Sequence, residues 1–80
     1  MITQEYTFGN LPKAVLNDEN SLGLNWTREV EEYIKLEIGQ YLNTRWSTDA
    51  TNTDMILTVD VPESDAQSLE WFLHNVYFIK

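Results

Sequence analysis

The sequence predicts a small α+β sandwich, with one or two helices packed on a short antiparallel sheet. Three observations carry that prediction. Residues alternate with period two over 3–8 and again over 55–61. Apolar residues recur at helical spacing from about residue 25 and again from residue 66. Of the 80 residues, 42% are apolar and ten are aromatic, which supports one acidic domain over 1–80 and leaves no room for a second core.

Residues 3–8 read as a first strand, with Tyr6 and Phe8 on one face, and Gly9-Asn10 supplies the turn that ends it. Leu11–Leu16 reads as a short helical turn, with Pro12 early where proline is tolerated. Residues 17–21 are polar and read as a loop. A long helix is then expected from an N-cap at Asn25 or Thr27 to about Asn43. Glu29, Glu31 and Glu32 favour the positive end of its dipole. Trp26, Val30, Ile34, Ile38, Tyr41 and Leu42 form its apolar side.

Two features oppose the helix. Gly39 would cost about 1 kcal/mol relative to Ala inside it. Residues 33–38 also alternate with period two, so a strand ending at Gly39 stays open.

Residues 44–53 hold no aliphatic side chain beyond Ala50 and read as a loop, with edge-strand character only around Trp46. Met55–Val61 is the clearest strand, with Met55, Leu57, Val59 and Val61 facing the core and Ile56, Thr58 and Asp60 facing away. Pro62 stops it, and Ser64 or Asp65 can cap a second helix. Ala66, Leu69, Phe72, Leu73 and Val76 make the buried stripe of that helix, and Trp71 lies to one side of it. The apolar residues 76–79 predict a docked C-terminus, either continuing the helix or peeling off as a strand.

Thirteen acids face five bases, a formal charge of −8. That balance excludes a basic nucleic-acid binder. Zero cysteines exclude a disulfide scaffold and a cysteine zinc site, and no apolar run is long enough to span a membrane. The first five residues resemble neither a signal nor a transit peptide, so a cytoplasmic location is expected. The Asn25-Trp26-Thr27 sequon is then read as chance.

No enzyme chemistry is expected. Asp49–Asp54 has the outline of a calcium loop, but its sixth position is Asp54 in place of Gly and its twelfth is Asp60 in place of Glu. His74 is the sole histidine and sits near the end of the second helix, where a cation is favourable. No glycine-rich phosphate loop is present, and no metal or other cofactor is expected. Glu37 projects near the apolar side of the first long helix and is expected to be partly buried or at the edge of a cleft.

In size, charge, lack of cysteine and lack of motif, the chain resembles the small acidic proteins that phages and other mobile elements encode against host machinery. These include restriction and CRISPR inhibitors and nuclease inhibitors. The resemblance is one of composition over the whole chain. It implies an inhibitor that binds a basic protein surface belonging to a nucleic-acid-handling protein or complex, with carboxylates standing in for phosphates. The expected contacts are exposed acids beside exposed aromatics: Glu29, Glu32, Asp49, Asp54, Asp60 and Glu63, with Trp46 or Trp71 as the anchor. No direct contact with nucleic acid or membrane is expected, and monomer and homodimer both stay open. The alternative is a small structural or assembly protein that forms a homo-oligomer.

Overall fold

The computed structural model describes residues 1–49, 53–77 and 79. In chain order its elements are β1 (Ile2–Phe8), α1 (Lys13–Leu16), a 3-10 turn (Glu19–Ser21), α2 (Leu22–Ile38), β2 (Asn43–Asp49), β3 (Asp54–Val61) and α3 (Glu63–Tyr77). The three strands form one antiparallel sheet in the order β1-β3-β2. The α+β fold predicted from the sequence is therefore present.

The central strand is the most apolar one. Met55, Leu57, Val59 and Val61 of β3 are buried, as their alternation predicts. Tyr6 pairs with Leu57 from one side and Trp46 from the other, so the register brings three large side chains to one level of the core face. Phe8, Val30, Ile34, Leu69 and Leu73 complete the core, with α2 and α3 lying over that face. Each fully buried side chain of this kind contributes about 1.5–3 kcal/mol relative to exposure. Leu57→Ala, at a site of 0% exposure, would cost about 2–5 kcal/mol. Of the apolar residues 76–79, Ile79 is buried and Val76 is exposed, while Phe78 and Lys80 lie outside the described residues.

Residues 33–38 are helical, which settles the choice between helix and strand. Gly39 carries no helix penalty because it is not inside the helix. It is the C-cap at φ 92°, a left-handed conformation that glycine adopts without a Cβ clash, and its N–H bonds the Lys35 carbonyl.

The helix begins earlier than expected, at Leu22 in place of Asn25 or Thr27. Thr27 lies inside it and donates its hydroxyl to the Leu24 carbonyl at 2.9 Å. The N-terminal satisfaction comes from a distance: Asp18 Oδ1 accepts the Leu24 N–H at 2.9 Å. Tyr41 and Leu42 fall beyond the helix, and Tyr41 is exposed.

The expected loop over 44–53 is largely a strand. β2 has only Thr44 and Trp46 turned toward the core, so its hydrophobic alternation is too sparse to read. Its backbone is recruited by β3, which supplies a partner for each residue from Asn43 to Asp49. Residues 50–52, the middle of the calcium-like segment, lie outside the described residues. Ser64 and Asp65 are first-turn residues of α3 and not its cap, since the helix starts at Glu63 and the Asp65 N–H already bonds the Pro62 carbonyl. In the predicted α3 stripe Leu69 and Leu73 are buried and Ala66 and Phe72 half-buried, but Val76 is exposed near the helix end.

Candidate functional site

Two of the three tryptophans are absorbed by the core. Trp26 and Trp46 pack edge-on with ring centroids 5.4 Å apart, and Phe8 touches both, at 5.3 and 5.8 Å. Tyr77 closes the cluster against Phe8 at 5.5 Å. The Trp46 indole N–H is bonded to Glu31 Oε1 at 2.8 Å. Trp46 is thus half-buried and held by the fold, which leaves Trp71 as the tryptophan exposed at the surface.

Trp71 is 68% exposed. Its position on α3 explains why. Leu69 and Leu73 point into the core, and a residue two places from each falls on the opposite side of a 3.6-residue helix. Two open concavities flank the ring. One, of about 310 Å³, is lined by Glu37, Gln67, Ser68 and Trp71. The other, of about 300 Å³, is lined by Gln67, Glu70, Trp71 and His74. Glu37 reaches the first of these from α2 and is exposed, so of the two expected placements it takes the cleft edge and not partial burial. The His74 and Glu70 side chains stand 4.0 Å apart across one helical turn.

The surface around this ridge is acidic and apolar together. Leu36 is 74% exposed on α2, and Tyr33 is exposed near it. α2 and α3 carry seven acids and two bases between them. The bases, Arg28 and Lys35, are seven residues apart on the flank of α2 away from α3, where Lys35 sits 4.6 Å over the Tyr41 ring. The α3-facing flank carries Glu29, Tyr33 and Glu37. Burial first, and then the charge of Glu29 and the proximity of Tyr33, push the Tyr77 hydroxyl up to about 12.

The other acids predicted as contacts do not gather in one place. Glu29 and Glu32 lie exposed on α2, with Glu32 accepting the Tyr41 hydroxyl at 2.9 Å. Glu63 is exposed in the first turn of α3. Asp60 lies on the far face of the sheet, away from the helices. There it accepts from Thr3 at 2.8 Å, from Asn43 at 2.9 Å and from both terminal nitrogens of Arg45 at 3.2 Å. These donors, Arg45 first, hold its carboxyl well below the usual carboxylate range. Asp49 and Asp54 face each other at the end of the β2–β3 pair, and Asp54 is buried at 6% exposure, so it is not offered to a partner.

Comparison with protein-family models, with curated proteins and with solved structures finds no match. Among the described residues no helix is long and apolar enough to cross a membrane, and no cluster of three His, Asp or Glu is placed to hold a metal ion.

The structure therefore brings Glu29, Glu32 and Trp71 onto one helical layer and sends Asp60 to the opposite face. Sequence reasoning left Glu37, Glu70 and Leu36 out of the contact set. The helical wheel carried that information, since Glu37 falls beside the interhelical seam and Leu36 outside the apolar arc. Which flank of α2 meets α3 is a tertiary fact.

Proposed function

We propose that this chain is a small protein-binding inhibitor, encoded by a phage or other mobile element, that docks its α2–α3 layer on a basic, nucleic-acid-handling protein. One observation carries the proposal: a tryptophan stands 68% exposed on a helical face whose neighbouring charges, Glu37 and Glu70, are acidic. Exposed ion pairs are worth about 0–1 kcal/mol each, so the carboxylates chiefly steer the encounter and reject acidic partners. Burying the exposed part of one indole returns roughly 2–4 kcal/mol before ordering costs, which gives the complex its lifetime. Blocking follows from occupancy, because a groove filled by this acidic face is closed to nucleic acid.

The alternative is self-assembly through the same face, favoured by the exposure of Leu36 and Trp71. It is opposed by charge: a second copy brings another −8, and Glu29, Glu37 and Glu70 would meet their own kind. The test is a tagged pull-down from nuclease-treated host lysate, washed over rising salt, with the native chain and Trp71→Ala in parallel. The proposal expects one basic nucleic-acid-handling protein, released as salt rises and lost with Trp71→Ala. Recovery of the bait alone, as a discrete oligomer at all salts, contradicts it and supports assembly.

A further inference from the structure

Trp71 divides a trough. Glu37 lies in the concavity on its α2 side and Glu70 in the one on its other side, and Gln67 lines both. Among the described residues no ring or cation stacks on the Trp71 indole. Of the two bases on this layer, Lys35 is already placed on Tyr41, and Arg28 lines neither concavity. Each concavity is open and at the low end of the size that encloses a small ligand, about 300 Å³. That shape suits a side chain presented by a larger molecule better than a free metabolite.

We infer that the trough receives arginine side chains of the partner protein, stacked on the Trp71 indole and paired with Glu37 on one side and Glu70 on the other. The inference rests on the protein-binding reading of the same face and names what that face recognises. Indole is the strongest of the aromatic faces for a cation. A guanidinium is planar and weakly hydrated, so it stacks on the ring while its edge donates to a carboxylate. A lysine ammonium is a compact, strongly hydrated point charge, so it loses more hydration and has no planar face to stack when it does both. Gln67 and Ser68 line the concavity of Glu37 with neutral hydrogen-bonding groups, and His74, 4.0 Å from Glu70, lines the other. Two carboxylates on opposite sides of one ring set the expectation of two arginines close together in the partner.

The test is an NMR titration of the whole chain with acetyl-Arg-Gly-Arg-amide, alongside its lysine and citrulline counterparts. The indole N–H signals of Trp26 and Trp46, which belong to the core, report that the fold is intact. The expected result is a saturable shift of the Trp71 indole and of the amides of 67–74 with the arginine peptide. It should be about tenfold weaker with lysine and absent with citrulline. Glu37→Gln should weaken binding about tenfold, and Trp71→Ala should abolish it. Equal response to lysine, or shifts spread over Glu29, Glu32 and Asp60 without saturation, would overturn the inference. Failure here is separable from failure of the proposed function. A silent peptide with partner capture still lost in Trp71→Ala removes arginine as the ligand and keeps the docking face. Capture indifferent to Trp71→Ala removes both.

Discussion

Glu31 of α2 and Trp46 of β2 are joined by a 2.8 Å hydrogen bond from the indole N–H to Oε1, and the same oxygen accepts the Thr44 hydroxyl at 2.7 Å. This half-buried carboxylate ties the helical layer to the edge strand that sequence alone leaves as a loop. Glu31→Ala strands both donors and should cost about 1–3 kcal/mol. Glu31→Gln keeps an acceptor oxygen and should cost less than half of that loss. Urea unfolding followed by tryptophan fluorescence measures both. Equal losses would show that the charge, and not the acceptor, makes the tie.

Asp60 predicts a pH dependence. Its folded-state pKa is depressed, chiefly by the Arg45 hydrogen bonds and then by Asn43 and Thr3. Its contribution to stability is therefore complete above the unfolded value near 3.8 and is lost as pH falls toward the depressed folded value. The native chain should lose more melting temperature between about pH 5 and pH 2.5 than Asp60→Asn does. Parallel melting curves for the two chains over that range would contradict this.

Among the described residues, the Tyr77 hydroxyl is buried without a hydrogen-bond partner. Tyr77→Phe keeps the ring against Phe8 and removes the unpaired group, so it should be neutral or stabilising by up to about 1 kcal/mol. The native Tyr77 should also weaken the fold in alkali. Its folded value, about 12, exceeds the ordinary 10.0, so its contribution is complete below pH 10 and is lost between those values. Thermal melts of both chains at neutral and alkaline pH check each part.

Gly23 is where α1 touches α2. A Cβ there would collide with the Val15 backbone carbonyl and press on Asp18, which caps α2. Alanine gains about 1 kcal/mol of helix propensity. The collision is with backbone that cannot rotate away, so overpacking of about 1–3 kcal/mol should prevail and Gly23→Ala should destabilise. A raised melting temperature would mean that α1 shifts freely.

The faces of β3 and the span of α2 around residues 30–38 were legible because buried aliphatics repeat there at the period of each element. β2 was not, because a strand with two core-facing residues is defined by its partner. The start of α2 was hidden because Ser21 is left-handed at φ 63° and Asp18 supplies the cap from six residues upstream of Leu24. Trp71 was visible on the wheel as lying off the buried stripe. Trp46 was not separable from it, since only the sheet register shows Trp46 between Phe8, Trp26 and Glu31. The burial of Asp54, at the start of β3 opposite Asp49, is a tertiary fact that composition does not encode.

The docking face proposed for the partner is the α2–α3 layer and not the open sheet face. The most direct measurement is the affinity of the captured partner for the native chain, Trp71→Ala and Glu5→Gln. Glu5 is an exposed acid on the sheet face and serves as the charge control. Trp71→Ala should lose about tenfold or more in affinity, and Glu5→Gln should stay within about twofold. Native-like affinity in Trp71→Ala, with weakening in Glu5→Gln, would contradict that docking face.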